Sequence, residues 1–276
     1  MQFIALTPDN LRRLMERLHE KEFALIDVRQ PGEYETGHIP GSLLIPLPEL
    51  VRSMEALPED KELIFYCRNG GRSQAAATMV ADEEIIRETI YHLDGGVMAW
   101  EGGMAVGFPR IRLFEDSDSR AETLRTAIKL EKGALNYYTR VHEMYAQYPW
   151  STEFADLARA ERGHARIVFD ILCGIEDAGE EFEAHFDRLP GEIMEGGMAL
   201  EPALQKVASI KGRICMHLIE MALEIEVQAY DLYRTMAHRT TDNQTRETFW
   251  AVAQAEKGHI RTLAGAIEGC CRDTGF

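Results

Sequence analysis

Positive charge is in short supply in this chain. Against 46 Asp and Glu there are 30 Lys and Arg, a formal net charge of −16. Nucleic-acid binding needs clustered cations to displace counterions from phosphates, so the charge argues against a nucleic-acid partner. Long apolar runs are missing too: none approaches the ~20 residues that cross a bilayer. The first residues, Met1-Gln2-Phe3-Ile4-Ala5-Leu6-Thr7-Pro8, show no basic start and no apolar stretch of a secretory leader. Cysteine is scarce and unpatterned, five residues with no CxxC pair. This indicates neither a disulfide framework nor a cysteine zinc site. A cytoplasmic protein with reduced thiols is expected.

What remains is an ordinary core-forming composition, 45% hydrophobic in 276 residues, enough for two domains. Residues 1–108 alternate short apolar runs with helical stretches. Phe23-Ala24-Leu25-Ile26-Asp27-Val28 and Glu62-Leu63-Ile64-Phe65-Tyr66 suit strands buried on both faces. Leu43-Leu44-Ile45 and Ile90-Tyr91-His92-Leu93 are weaker strands, and Thr7-Pro8 suits a helix start. Strands separated by helices predict an α/β domain with a parallel sheet. Residues 109–118, with Pro109 and the acidic Glu115-Asp116-Ser117-Asp118, form the expected linker.

From residue 119 to 276 the pattern is helical. Ser119 with Glu122 reads as a capping box for a helix that runs to about Tyr148. A second helix is expected from Ser151 to Gly174, a third from about Pro202 and a fourth from Thr241, capped by Thr241 with Gln244. Residues 175–200 carry Pro190 and several glycines, and they predict an irregular crossover. Short, long, short connections describe a four-helix bundle with one crossover.

Within those helices one pattern occurs twice. Glu131 is followed 30 residues later by Glu161 and, three further on, by His164; Glu226 is followed at the same intervals by Glu256 and His259. Each member of the second set lies 95 residues after its counterpart. An ExxH pair projects from one helix face about a turn apart, so each can place a carboxylate and an imidazole on one metal ion. Glu131 and Glu226 are expected to bridge two such ions. Tyr138 and Tyr233 lie seven residues beyond those glutamates, placed to hydrogen-bond ligand carboxylates. A single ExxH is usually a surface pair. Two copies with one spacing are not, because buried carboxylates are too costly without a partner. The donor set suits iron or manganese better than copper. His142, His185, His217 and His238 fall outside the repeat and are read as surface or satisfied core residues. Cys173 and Cys215 are read as packed thiols, and Cys270-Cys271 as part of a frayed tail, with an accessible redox pair as the alternative.

The second constellation is Cys67-Arg68-Asn69-Gly70-Gly71-Arg72, between a strand and a helix. Successive N–H groups in such a loop, the helix N-terminus, Arg68 and Arg72 all favour thiolate over thiol. A phosphatase loop needs Cys-x5-Arg; here the residue six after Cys67 is Ser73 and the arginine comes one early. The tighter loop suits a terminal sulfane sulfur.

These motifs resemble known families. Residues 119–270 resemble the ferritin-like superfamily, specifically rubrerythrins and bacterioferritins, through Glu131-x6-Tyr138, Glu161-x2-His164, Glu226-x6-Tyr233 and Glu256-x2-His259. The resemblance implies two non-haem iron ions that react with hydrogen peroxide or dioxygen. Two departures stand out: Ala229 replaces the extra glutamate that rubrerythrins carry three residues after the third-helix ligand, and the paired CxxC motifs of a rubredoxin domain are missing. The site is closer to the symmetric bacterioferritin type and needs an external electron donor. Residues 3–103 resemble the rhodanese family through Asp27-Val28-Arg29, Glu33, Gly37-His38-Ile39-Pro40-Gly41-Ser42, the Cys67–Ser73 loop, Leu93-Asp94-Gly95-Gly96 and Ala99-Trp100. That resemblance implies a Cys67 persulfide, with Arg68 and Arg72 holding an anionic sulfur donor and Asp27, Arg29, Glu33 and His38 structural or at the rim. The expectation is a sulfurtransferase coupled to a diiron peroxidase or oxidase, taking small sulfur donors and acceptors, with a homodimer as the default assembly. The alternative is an iron-handling or sensor protein whose rhodanese domain binds a partner without turnover.

Overall fold

The central strands of the first unit's sheet are buried on both sides, and its edge strands are not. In the computed structural model, which describes residues 3–272 other than 116, 118, 177 and 178, the strands are β1 (Ile4–Leu6), β2 (Phe23–Asp27), β3 (Leu43–Leu44), β4 (Glu62–Tyr66) and β5 (Ile90–Leu93). All pair in parallel, in the order β1-β5-β4-β2-β3. Side chains alternate between faces with period two. Ala24, Ile26, Leu63 and Phe65 therefore enter one core, and Phe23, Leu25, Ile64 and Tyr66 the other. Helices α1 (Pro8–Arg17), α2 (Pro31–Thr36), α3 (Leu47–Ser53) and α4 (Gly71–Asp82) make the connections. Thr7 caps α1 by accepting from the Asn10 N–H. Cys67 follows β4 directly and is fully buried.

The chain divides into two compact units, residues 1–108 and 109–276. In the second, α5 (Arg120–Met144) and α6 (Thr152–Cys173) form one helical hairpin, and α9 (Ile214–Arg239) and α10 (Asn243–Arg272) form the other. Ser119 caps α5 by accepting from the Glu122 N–H. Part of the expected linker belongs to this unit: Ile111–Phe114 forms a 3-10 turn, and Phe114 is buried against Phe249. Asp116 and Asp118 lie outside the described residues.

Several boundaries differ from expectation for identifiable reasons. The first helix ends at Met144, and Pro149–Ser151 makes a separate 3-10 turn. The crossover is not wholly irregular: it contains α7 (Phe182–Arg188) and α8 (Leu200–Ser209). Pro202 lies in the first turn of α8 rather than of the third bundle helix, because Arg213, at φ 42°, breaks the path before Ile214. The last helix is capped not by Thr241 but by Asp242, whose carboxylate accepts from the Thr245 N–H at 2.8 Å. Cys215 is not a packed thiol. It forms a disulfide with Cys270, 55 residues away, joining the start of α9 to the end of α10. The expectation that all thiols are reduced is thereby corrected, while the Cys271 side chain lies outside the described residues. Cys173 is exposed at the end of α6 rather than packed.

The bundle core is split in two. On α5, residues up to Leu130 join one apolar cluster and those from Ala134 join another; on α6 the change falls between Ala158 and Ala165, on α9 between Ile225 and Ala229, and on α10 between Ala253 and Leu263. Every crossing point coincides with a residue of the Glu/His repeat. A disulfide closing a loop of this length contributes about 2–4 kcal/mol by constraining the unfolded chain. Reduction, or Cys215→Ser, should therefore lower the melting temperature of the full chain; an unchanged melting curve in both cases contradicts the pairing.

Candidate thiolate loop and candidate metal centre

Gly70 adopts φ 98°, a left-handed conformation that only glycine tolerates easily, and it turns the chain from Cys67 into α4. Its N–H points back at the Cys67 Sγ, 3.2 Å away. Burial pushes the thiol up, but hydrogen bonds from Ser73, Asn69 and Gly70 outweigh it, and the net shift is downward. A second loop supports the first from behind: Val97 N–H donates to the Cys67 carbonyl (2.8 Å) and Met98 N–H to that of Arg68 (3.0 Å). Gly96 makes this fit, since a Cβ there would sit 2.4 Å from the Cys67 carbonyl oxygen.

Of the predicted loop residues, Arg68 and Asn69 are exposed, and Gly70 is buried beside the sulfur. Arg72 is engaged elsewhere. Its guanidinium donates twice to Glu33, at 2.7 and 2.8 Å, and this pairing holds the Glu33 carboxyl at about 2. Arg68 is left as the exposed cation beside a cleft that Arg29, Glu33, Val97 and Met98 also line. Asp27 and Arg29 form a buried pair (2.6 Å), and His38 stacks on Tyr34, both structural roles. Ser73, valued in the sequence only as the position a phosphatase arginine would fill, is a third donor to the sulfur.

In the bundle the six repeat residues converge. Glu131, Glu161, His164 and Glu256 offer donor atoms within 4.8 Å of one another, as do Glu161, Glu226, Glu256 and His259. The two imidazoles stack at 5.0 Å. His164 Nδ1 lies 3.1 Å from Glu256, 3.2 Å from Glu161 and 3.3 Å from Glu131. His259 Nδ1 lies 2.9 Å from Glu226, 3.0 Å from Glu256 and 3.7 Å from Glu161. Glu161 and Glu256 each turn one oxygen to either histidine, whereas Glu131 and Glu226 each face one. Glu161 and Glu256, rather than Glu131 and Glu226, thus lie between the two histidines, the place from which a carboxylate could serve two ions. A shared position needs a carboxylate on the midline, which α6 and α10 occupy by packing against each other.

The tyrosines reach across the repeat. Tyr138 donates to Glu226, and Tyr233 donates to Glu131 at 2.5 Å. Burial and those carboxylates push both phenols well up, so they remain donors. Three of the other histidines are satisfied locally, His142 by the Ser151 carbonyl, His185 by Glu180 and His217 by the turn at Gly212, and His238 packs edge-on against Trp250.

The donor set fits a pair of metal ions. Glu131 Oε2, Glu161 Oε1, Glu256 Oε1 and His164 Nδ1 are buried with no hydrogen-bonding partner. Atoms so placed lie at ion-pair distance from one another without aligned hydrogen bonds, and share common points as ligands do. One carboxylate was missed by the sequence reading. Glu195, on the crossover, is 1% exposed and lies in electrostatic range of Glu131, Glu161 and Glu256. It has no counterpart in the repeat, and its only signal was a glutamate between Met194 and the pair Gly196-Gly197.

Comparison with known proteins agrees with this geometry. The rubrerythrin family model matches residues 122–267, and the rhodanese-like domain model matches residues 7–102. The chain belongs to the rubrerythrin family and carries a rhodanese-like domain. Its curated relatives cover that first domain. The protein YqhL of Bacillus subtilis (strain 168) is 39% identical over 98 residues, 33% of this chain and 76% of its own length. The thiosulfate sulfurtransferase GlpE of Pseudoalteromonas translucida is 32% identical over 92 residues, 33% of this chain and 86% of its own. A solved rhodanese-related protein from Thermoplasma volcanium is 25% identical and spans 38% of this chain and 99% of its own, with a TM-score of 0.34. No described helix is long and apolar enough to cross a membrane.

The metal-free rubrerythrin-family bundle has a pH signature. Burial and Glu256 push the Glu226 carboxyl up to about 8. Burial opposes the His259 cation, but hydrogen bonds to Glu226 and Glu256 push it up to about 11. A folded-state pKa above the unfolded value means the native state holds the proton more tightly, so stability is lost as pH rises. For Glu226 the window runs from its ordinary 4.5 to about 8. Glu226→Gln should flatten the fall in melting temperature of chelator-treated protein across that window. A parallel fall in both proteins contradicts the burial account.

Proposed function

We propose that this chain is a two-domain enzyme, a sulfurtransferase working through a Cys67 persulfide joined to a diiron peroxidase or oxidase. The observation that carries the reading is the convergence of four buried carboxylates and two imidazoles on shared points. In the first domain the Cys67 thiolate attacks the outer sulfur of thiosulfate or a persulfide. The new bond forms at Sγ, the donor S–S bond breaks, and with thiosulfate the electron pair leaves on sulfite. The loop N–H groups that lower the thiol also stabilise charge on the transferred sulfur. A nucleophilic acceptor then takes that sulfur and restores the thiolate.

In the bundle, Glu131, Glu161, His164, Glu226, Glu256 and His259 would hold two iron ions, with manganese the other candidate. When bound, the ions supply one-electron redox chemistry and a place for hydrogen peroxide or dioxygen. The chain's own part is to fix that site. Tyr138 and Tyr233 orient Glu226 and Glu131 through their phenols, and the apolar clusters above and below exclude water. Reduction of peroxide to water needs two electrons and two protons. Two thiols joining as a disulfide, or a persulfide and a thiol joining as a trisulfide, release both, and the persulfide on Cys67 together with a small thiol is the proposed source.

Cys67→Ser separates these parts. It should abolish thiocyanate formation from thiosulfate and cyanide, leave the metal content unchanged, and cut sulfur-driven peroxide turnover at least tenfold while turnover with an artificial reductant persists. Persistent thiocyanate formation removes the carrier role of Cys67. Unchanged sulfur-driven peroxide turnover removes the coupling.

A further inference from the structure

The crossover between the two helical hairpins carries a feature that the Glu/His repeat does not explain. Residues 192–200 form a tight turn: Gly197 N–H donates to the Met194 carbonyl (2.8 Å), Met194 N–H to Met198 (2.9 Å), and Leu200 N–H to Glu192 (2.8 Å). Its tip is wedged between two bundle helices. On one side Gly133 of α5 meets the backbone, where an added Cβ would lie 2.0 Å from the Ile193 carbonyl oxygen. On the other, a Cβ at Gly196 would lie 2.8 Å from the Gln228 Cβ of α9. Gly133 is two residues past Glu131, and Gln228 is two residues past Glu226. The wedge therefore sits at the level of the carboxylate cluster.

Glu195 is at that tip. It is 1% exposed, and neither of its carboxylate oxygens has a hydrogen-bonding partner on another residue. It lies in electrostatic range of Glu131, Glu161 and Glu256 and of the Tyr138 and Tyr233 phenols, at the edge of the six-residue cluster. A structural carboxylate at this depth would be matched by a cation or by N–H donors, because an isolated one is among the most costly groups to bury. We propose that Glu195 is a further carboxylate ligand of the dinuclear metal centre, delivered by the crossover rather than by a bundle helix. This rests on the reading of the cluster as a two-metal site. It has a consequence for charge. Four carboxylates and two neutral imidazoles balance two divalent ions, and Glu195 adds a negative charge that favours a more highly charged pair.

Titration of the metal-free full-length chain with Co(II), read by its visible absorption, tests this in the parent, Glu195→Gln and Glu195→Asp. Glu195→Gln keeps the shape and removes the charge. It should weaken Co(II) binding at least tenfold and alter the spectrum, while leaving the melting temperature of the metal-free chain unchanged or raised. Glu195→Asp keeps the charge but retracts it by one methylene, and should fall between the two; it decides the matter if the Gln variant does not fold. Parent-like affinity and spectrum in the folded variants overturn the proposal, as does a destabilised metal-free chain that still binds Co(II) normally. A parent chain that binds no Co(II) overturns the two-metal reading itself and the proposal with it, an outcome distinct from a failure of Glu195 alone.

Discussion

The bundle is organised around a cost. Glu131, Glu161, Glu226 and Glu256 are each no more than 1% exposed, in the middle of a helical core. Carboxylates at that depth oppose folding unless something neutralises them. In the metal-free chain the neutralisation is partial. The charged His164 holds the Glu256 carboxyl well below the usual range despite burial, while Glu161 is pushed well up by burial and by Glu256. Two dications would satisfy all four carboxylates together. Metal binding and bundle stability are then linked, since a ligand that binds only the native state stabilises it by mass action. The division of the core into two apolar clusters follows from the same layer, and so does the wedged crossover that closes one side of it.

The first domain solves a milder version of the same problem. Cys67 is fully buried at the end of a fully buried strand, where burial alone favours the neutral thiol. The remedy there is not a counter-ion but oriented dipoles: Gly70, Asn69 and Ser73 aim donors at the sulfur, and the Gly95-Gly96 turn holds the loop in place. Arg72, expected as a full charge at the thiolate, is hydrogen-bonded to Glu33 and acts on Cys67 only from a distance. A thiolate stabilised by backbone donors keeps its affinity for an anionic donor without being locked to a neighbouring cation.

Much of this was legible because it was duplicated. The repeat set the four helices, the six donors and both tyrosines, since a helical spacing fixes which residues share a face. Spacing does not fix which neighbour that face meets, and so neither the place of Glu161 and Glu256 between the histidines nor the tyrosines' crosswise pairing was legible. Glu195 had no duplicate, and its burial depends on two small contacts, at Gly133 and Gly196, that only the folded crossover creates. The Cys215–Cys270 pair was hidden for a similar reason: two cysteines 55 residues apart become neighbours only when α9 and α10 fold back on each other. Helix caps at Thr7 and Ser119 could be read locally, whereas the break at Arg213 could not, because a left-handed arginine has no sequence signature.

The central claim is that Glu161 and Glu256 are shared between two metal ions and that Glu131 and Glu226 are terminal. A crystal structure of the iron-loaded chain, with anomalous maps collected at the iron edge, tests it most directly. The account predicts two anomalous peaks per chain between α6 and α10, with Glu161 and Glu256 each touching both. A single peak, no peak, or two peaks bridged by Glu131 and Glu226 would contradict it.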